Sequence, residues 1–315
     1  MISLGTPPQS IVVHGGINMD VVGVTKTIPR PGQTVVGKKS FFSPGGKGAN
    51  QSVAIARLGA KVNLIGVVGE DYFGPILLEN LRKEGVDISE IKTDPNNNSG
   101  LAIILLDDEK ENRILIIPGA NSNQSNLKLS SIESIISKSS YVMLQGEIDH
   151  SASLQTAITA RNHRVKVILD PAPAENISRE LINSIDIITP NQSEASSITG
   201  IGVVDLESAK TACQTLLSFG PSVAIITMGG TGAYYASFNG EEGHIEAYNV
   251  KIVDSVAAGD AFNGSLAVSL SNGTTLRQAV QNAVAGGSLA TTIEGAQASM
   301  PTADQVKSLI AKGKH

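Results

Sequence analysis

An aspartate follows three small residues, directly before an apolar stretch with helical character, in residues 253–264 (VDSVAAGDAFNG). If a helix begins here, the backbone N–H groups of Ala257, Ala258 and Gly259 lie at its positive end, where anions are stabilised. These three N–H groups would form an anion hole. Asp260 would adjoin it and could take a proton from a hydroxyl group. Phosphoryl transfer needs this combination, because positioning and charge stabilisation provide most of its catalysis. Asp260 could equally be an ordinary helix N-cap, since Asp is favoured there.

A second candidate segment, residues 43–51 (SPGGKGANQ), places three glycines around Lys47. Glycines at such positions allow the backbone to approach a ligand closely. The segment is not a Walker P-loop, because Lys47 is followed by Gly48 rather than by Ser or Thr. The alternative is a tight turn that leads into a helix.

A third segment, residues 15–20 (GGINMD), follows the first aliphatic strand of the chain. Ligands of α/β proteins gather at the carboxyl ends of strands. Asn18 and Asp20 offer a donor and an acceptor, which suits two adjacent hydroxyl groups of a ligand. An Asx-turn would explain the same two residues.

The elements that must position these segments alternate between short aliphatic strands and amphipathic helices. The predicted strands are residues 11–14, 62–68, 141–144, 165–169, 185–188 and 223–226, with helices at 48–58 and 75–84 among those between them. This alternation predicts an α/β fold in which helices cover both faces of a mostly parallel sheet. One domain over residues 1–315 is the simplest organisation.

Two stretches interrupt the alternation. Residues 21–42 are rich in β-branched residues without a helical period, and residues 100–117 contain two apolar runs joined by a polar turn. Together they predict a small second sheet, with lid strands from about residues 18–44 and 98–118. Such a sheet could exclude water from an activated phosphate or could form the contact of a homodimer, and both roles are compatible.

The composition excludes several classes of function. The net charge of −5 argues against nucleic acid as a partner, since binding it requires neutralisation of many phosphates. No apolar run reaches the roughly 18 residues that a membrane span needs, and the N-terminus lacks the features of a signal peptide. Cys213 is the single cysteine, which is consistent with a reducing cytosol. We therefore expect a cytoplasmic protein without a membrane partner.

Five short motifs occur in one order along the chain: GGKGAN at 45–50, DPAP at 170–173, TPNQSE at 189–194, VDSVAAGD at 253–260 and GAQ at 295–297. In these motifs and their order the chain resembles the ribokinase-like family of carbohydrate kinases over nearly its whole length. The resemblance implies a ribokinase-like sandwich, with a central mostly parallel sheet between helices and a small β-sheet lid.

The resemblance also implies roles for individual residues. The sugar would be held by Asn18, Asp20, Gly46, Lys47, Asn50 and Glu147, with Asp260 as the base for its terminal hydroxyl. The nucleotide would be held by Asn191, Thr227, Gly229, Gly230 and Gly232, and Glu194 would organise Mg²⁺ through water. A monovalent cation, K⁺, would lie among Asp254, Val256, Ala290, Ile293, Gly295 and Ser299, mostly on backbone carbonyls.

Three positions depart from the family pattern. Ser255 stands where the family usually has Thr, Gly16 replaces a typical Ser beside the sugar, and Val284 occupies a position near adenine where His or Asn is usual. An apolar Val284 can pack on the base but offers it no hydrogen bond.

The implied activity is ATP-dependent phosphorylation of the terminal hydroxyl of a sugar, with D-ribose favoured. Asn18 and Asp20 suit a sugar with adjacent free hydroxyls, which favours ribose over 2-deoxyribose. Alternatives are a kinase of deoxyribose, fructose or an adenosine-like nucleoside, or a non-catalytic sugar sensor on the same fold. A sensor would need neither Asp260 as a base nor Glu194 as a metal group.

Overall fold

The computed structural model describes residues 10–109, 112–124, 127 and 129–313. The turn expected between the two strands of residues 100–117, and the N-terminal segment expected not to be a signal peptide, fall partly outside these ranges, at residues 110–111 and 1–9. No helix in the described part of the chain combines the length and the apolar character that crossing a bilayer would require.

The described residues form thirteen strands. They are β1 (Ser10–His14), β2 (Asn18–Val24), β3 (Lys39–Gly45), β4 (Val62–Gly69), β5 (Ile91–Asp94), β6 (Gly100–Leu106), β7 (Asn112–Ile117), β8 (Ser139–Gln145), β9 (Lys166–Asp170), β10 (Ile187–Ile188), β11 (Val223–Thr227), β12 (Ala233–Ser237) and β13 (Glu242–Ile245). The predicted strand at 185–188 is shorter than expected, because only its last two residues pair with neighbours.

Ten α-helices accompany these strands in the described ranges. They are α1 (Lys47–Arg57), α2 (Phe73–Lys83), α3 (Leu129–Ile136), α4 (His150–Asn162), α5 (Arg179–Asn183), α6 (Gln192–Thr199), α7 (Leu206–Leu217), α8 (Ala258–Ser271), α9 (Leu276–Ala290) and α10 (Ala303–Lys312).

The large sheet has the order β13-β12-β11-β10-β9-β8-β1-β4-β5. Seven neighbouring strands are parallel to one another: β11, β10, β9, β8, β1, β4 and β5. Strands β12 and β13 form an antiparallel edge. Successive residues point to opposite faces, so Val13 belongs to the core under α1 and α8 while Val12 belongs to the core under α4 and α7. The α/β fold with a mostly parallel sheet between helices is thereby confirmed.

The direction of chain progression reverses at β1, since β4 lies on one side of it and β8 on the other. Ligands of open α/β sheets bind at the carboxyl ends of the strands at such a switch point. β1 ends at His14, immediately before the 15–20 segment, and β8 ends at Gln145, just before Glu147. The strand order therefore predicts that a ligand binds at this edge of the sheet.

A second, four-stranded sheet has the order β3-β2-β6-β7. β2 pairs with β3 antiparallel and with β6 parallel, and β7 completes the sheet antiparallel to β6. β2 begins at Asn18, shortly after β1 ends, and β3 ends at Gly45, directly before α1. The start of β2 and the end of β3 therefore lie at the same edge of the large sheet.

Candidate active site

Asp260 lies in the first turn of α8, and its side chain is 4% exposed. Its Oδ2 accepts a 2.9 Å hydrogen bond from Asn50 Nδ2, and its Oδ1 accepts a 3.1 Å bond from Gln51 Nε2. The alternative that Asp260 is the N-cap of this helix is wrong, because Ala257 occupies the cap and no side chain caps it. The carboxylate is instead fixed by two amides of α1.

The start of α8 carries the amides that we expected to form an anion hole. Ala257 adopts a left-handed conformation with φ of 59°, which turns the chain into the helix. The expectation of three outward N–H groups needs one correction, because Ala258 N donates to Ser255 O at 3.3 Å. That bond is long, and α8 still presents its positive end here.

The glycines around Lys47 are required by close backbone approach. Gly46 has φ of 89°, and a Cβ atom added there would lie 2.6 Å from the carbonyl oxygen of Gly16. Lys47 begins α1, and its backbone N–H donates a 2.8 Å hydrogen bond to Glu147 Oε2. The segment is thus a tight turn before a helix, and the same turn brings Lys47 to the end of β8.

Asn18 and Asp20 lie two residues apart on β2, so their side chains share one face of the small sheet. The Asx-turn alternative is wrong, since both residues are in an extended strand. Asn18 Nδ2 donates to Glu147 Oε2 at 3.4 Å, and Asn18 Oδ1 accepts a 2.7 Å bond from Asn121 Nδ2. Asn121 therefore fixes which way the amide of Asn18 points.

Lys47 is the cation at the centre of this region. Burial alone would lower the pKa of its ammonium group, but surrounding carboxylates raise that pKa above its ordinary value. The carboxylates are Asp170, Asp260, Glu147 and Glu194. Lys47 therefore stays charged at every physiological pH and offsets part of the negative charge around it.

Burial shifts the acidic groups in the opposite direction. The pKa of Asp20 is raised to about 7, first by burial and then by the charges of Glu147 and Asp260. Burial also raises the pKa of Asp170 to about 8, although the charge of Lys47 lowers it. Carboxyl groups with such shifts are typical of functional sites.

One cavity of about 220 Å³ connects Lys47, Asp170 and Asp260 to three of the nucleotide and metal candidates, Asn191, Glu194 and Thr227. Its walls are Lys47, Asp170, Ala172, Thr189, Asn191, Glu194, Thr227, Ser255, Ala257, Ala258, Gly259, Asp260 and Asn263. The proposed base, the anion hole, Asn191, Glu194 and Thr227 thus face one space. Gly229, Gly230 and Gly232 do not line it but form the turn that follows Thr227.

Glu194 and Asn191 form a capping box at the start of α6. Glu194 Oε2 accepts a 2.8 Å bond from Asn191 N, and Asn191 Oδ1 accepts a 2.9 Å bond from Glu194 N. Burial raises the pKa of Glu194, although the bond from Asn191 N and the charge of Lys47 lower it. The Glu194 carboxylate suits a hydrated Mg²⁺, which binds few protein groups when phosphates accompany it. The donor set fits that ion.

The candidate residues for a monovalent cation lie where the 253–256 segment meets the end of α9. Asp254 accepts 3.0 Å bonds from the backbone N–H groups of Val256 and Gly295, and Asp254 N donates to Thr291 O. Ala290 and Ile293 are joined by a 3.5 Å backbone bond, and Ser299 Oγ donates to Ala296 O. Asp254 therefore ties the two segments together through backbone N–H groups.

Three residues at the site had no role predicted from the sequence. Gln51 and Asp170 contact each other beside the base, and Asn121 orients Asn18. Gln51 belongs to the 43–51 segment and Asp170 to the 170–173 motif, which was the available signal. Val284 is 4% exposed and packs into the core from α9, so it presents little surface to a nucleotide.

Gly16 has a structural reason to depart from serine. A Cβ atom added there would lie 2.5 Å from Glu147 Oε2. The glycine therefore allows Glu147 to pack against the turn after β1.

Comparison with known proteins identifies the family. Residues 8–303 match the family described as pfkB family carbohydrate kinase. A ribokinase of Schizosaccharomyces pombe is 38% identical over 302 residues, which are 93% of this chain and 95% of that protein. A deoxyribokinase of Salmonella typhi is 30% identical over 94% of this chain and 97% of its own. The solved structure of Arabidopsis thaliana ribokinase with ribose and ATP superimposes with a TM-score of 0.90, at 29% identity over 96% of this chain and 98% of that one.

Proposed function

This chain belongs to the pfkB family of carbohydrate kinases, and on that premise we propose that it transfers the γ-phosphoryl group of ATP to the terminal hydroxyl of D-ribose. The products are D-ribose 5-phosphate and ADP. The observation that carries the proposal is the shared cavity, in which Asp260 adjoins the positive end of α8, Lys47 and the Asn191–Glu194 pair. A hydroxyl, a base and a polyphosphate can meet only where such groups share one space.

The sugar binds between β2 and the end of β8. Asn18 and Asp20 face it from one side, and Glu147, Asn50 and Gly46 complete the site. Asp260 accepts the proton of the terminal hydroxyl as the oxygen attacks phosphorus. The bond from that phosphorus to the β-phosphate oxygen breaks, and ADP carries away the electron pair.

The phosphates lie at the start of α8, where the amides of Ala257 and Gly259 and the dipole of the helix stabilise the negative charge of the transition state. Lys47, which would also contact the sugar, lines the same cavity as this helix start and adds a full positive charge there. Asn191 and Thr227 hold the phosphate chain, and the turn at Gly229, Gly230 and Gly232 continues the nucleotide site. Mg²⁺ accompanying ATP would neutralise phosphate charge, and Glu194 would hold it through water.

A monovalent cation, K⁺ by preference, binds among Asp254, Val256, Ala290, Ile293, Gly295 and Ser299. Support comes from the hydrogen bond that Gly295 N donates to Asp254 Oδ2. This bond joins the Gly295 turn to a residue three positions before Ala257. The ion would keep the 253–259 segment in the conformation that α8 requires, without touching the substrate.

The small sheet serves as a lid over the sugar, since β2 supplies sugar-binding side chains. It also serves as the contact of a homodimer, which the exposed apolar residues of β7 support: Ile114, Leu115, Ile116 and Ile117. We place the enzyme in the cytoplasm, in agreement with a single buried cysteine, Cys213.

The experiment is ATP turnover with Mg²⁺ over a panel of D-ribose, 2-deoxyribose, fructose, other pentoses and hexoses, and adenosine. We expect D-ribose to give the highest kcat/KM. Preference for 2-deoxyribose, fructose or adenosine would correct the substrate. Ribose binding without any ATP turnover would identify the protein as a sugar sensor.

A further inference from the structure

Gln51 is fully buried at the centre of a chain of polar side chains behind the catalytic base. Its Nε2 donates to Asp170 Oδ2 at 2.9 Å and to Asp260 Oδ1 at 3.1 Å. Its Oε1 accepts a 2.7 Å hydrogen bond from Gln145 Nε2. A carboxamide nitrogen carries two hydrogens, so both donors of Gln51 are assigned to carboxylates.

These contacts permit only one orientation of the Gln51 amide. A flipped amide would direct its oxygen at two carboxylates and its nitrogen at the N–H of Gln145, so three favourable contacts would become repulsive. Gln145 is itself fully buried at the end of β8, whose backbone pairs with β1 and β9, and its Oε1 has no hydrogen-bond partner among the described residues. The orientation of Gln51 is therefore set from β8, a strand inside the large sheet.

The two carboxylates that share Gln51 lie in a crowded electrostatic environment. Besides each other, Asp170 and Asp260 face the ammonium of Lys47 and the carboxylates Glu147 and Glu194, and Asp260 also faces Asp20. Two N–H groups from one nitrogen fix the separation of Asp170 and Asp260, and above the raised pKa of Asp170 they also reduce the repulsion between two carboxylates. Asn50 holds the other oxygen of Asp260, so both oxygens of the base have a defined position.

We propose that Gln51 is a positioning residue that holds Asp260 and Asp170 in fixed relation, with Gln145 as its anchor. It acts through Asp260 and does not touch the sugar, because its amide has no donor left for a ligand. The inference rests on the proposed sugar kinase activity, which it deepens by assigning the group that aligns the base.

The test compares Gln51→Leu, which has a similar size but no amide, with Gln145→Leu, which keeps Gln51 but removes its anchor. Misplacement of a catalytic group by about 1 Å can cost on the order of 100-fold in rate. We expect kcat to fall about 10- to 100-fold in Gln51→Leu and less in Gln145→Leu, with KM for ribose changed less than about threefold. The acidic limb of the pH–rate profile should move to higher pH, because a carboxylate that loses a donated hydrogen bond binds a proton more readily.

Asn282→Leu is the matched control, since it removes a 2.8 Å amide bond to Ser269 Oγ between α8 and α9, outside the cavity. Its kcat and pH profile should equal those of the wild type. Circular dichroism and thermal unfolding establish that each variant is folded. A folded Gln51→Leu enzyme with unchanged kcat and an unchanged acidic limb would overturn the proposal, and so would a loss confined to KM.

A second measurement does not depend on turnover. In protein labelled with ¹³C at the aspartate carboxyl carbons, the resonances of Asp170 and Asp260 are assigned from the Asp170→Asn and Asp260→Asn variants. We expect the Asp170 resonance to titrate at higher pH in Gln51→Leu than in the wild type. Unchanged titration would contradict the role of Gln51 even if the wild type phosphorylates ribose. Absence of wild-type turnover with a shifted titration would instead contradict the proposed function alone.

Discussion

The side-chain amide of Asn50 donates a 2.9 Å hydrogen bond to Oδ2 of Asp260, so the glycine-rich motif of α1 and the helix start of α8 form one site. The two segments are 210 residues apart in sequence. Asn50 Oδ1 is buried without a partner among the described residues, which leaves it free to accept a hydroxyl group of the sugar. Asn50 therefore contacts the base and would also contact the proposed sugar, whereas Gln51 contacts the base, Asp170 and Gln145 and has no donor left for a ligand.

Asn50→Leu should lower kcat and raise the KM for ribose together. The variant leaves a sugar hydroxyl and one oxygen of Asp260 without partners, and each such loss costs about 1–3 kcal/mol, or at least roughly tenfold in kcat/KM. Initial rates at varied ribose concentration separate the two constants. An unchanged KM would show that Asn50 serves the base alone.

Asp20→Ala should reduce kcat/KM for ribose at least about tenfold, since it leaves hydroxyl groups unpaired in a closed site. The loss with 2-deoxyribose should be smaller, because that sugar lacks one of the two adjacent hydroxyls. Both sugars are assayed with the same enzyme preparation. Equal losses would mean that Asp20 is structural or contacts another part of the sugar.

The ligand-free protein should lose stability as the pH rises from about 4 to 8. The pKa values of Asp20 and Asp170 are raised from 3.8 to about 7 and about 8, so the folded state binds more protons than the unfolded state in this window. Deprotonation of these groups at higher pH therefore favours unfolding. Asp170→Asn should have a flatter dependence of Tm on pH, with exposed Asp304→Asn as the control. These pKa shifts would be contradicted if the Tm of the wild type rose steadily between pH 5 and 8 and the Tm of both variants rose equally.

Turnover should depend on a monovalent cation. The rate is measured in K⁺-free Tris buffer and titrated with KCl, and separately with NaCl at matched ionic strength. We expect K⁺ to activate more than Na⁺, because a shell of carbonyl oxygens suits the larger ion. Asp254→Ala should abolish the activation, since Asp254 joins the two segments of the site. If K⁺ does not change the rate of protein that has been freed of carried-over ion, the proposed cation site is wrong.

The sequence predicted much of the fold because its strands are short aliphatic runs that are buried on both faces. Such aliphatic runs can be recognised as strands from the sequence alone, without knowledge of tertiary contacts. The antiparallel edge strands β12 and β13 were not predicted, since they contain Tyr, Ser, His and Glu and have no long apolar run. Pairing of β12 with β11 and of β13 with β12, rather than composition, makes them strands.

The candidate site was predictable where its chemistry is local. A helix start with small residues and an aspartate is visible in one segment of the chain, and so are the glycines around Lys47. The roles of Gln51 and Asn121 were not predictable, because they depend on contacts across 209 and 103 residues respectively. Such contacts arise only when strand order brings α1, α8 and the small sheet to one edge.

Asp260→Asn is the measurement that tests the central claim most directly. The substitution keeps the shape of the side chain, but an amide cannot take the proton of the sugar hydroxyl. Loss of a general base lowers the rate about 10²- to 10⁴-fold, and we expect kcat to fall by this amount while the protein stays folded. Asp304→Asn, in the first turn of α10, is the matched control and should retain full activity. Turnover of Asp260→Asn within about threefold of the wild type would contradict the assignment of Asp260 as the base.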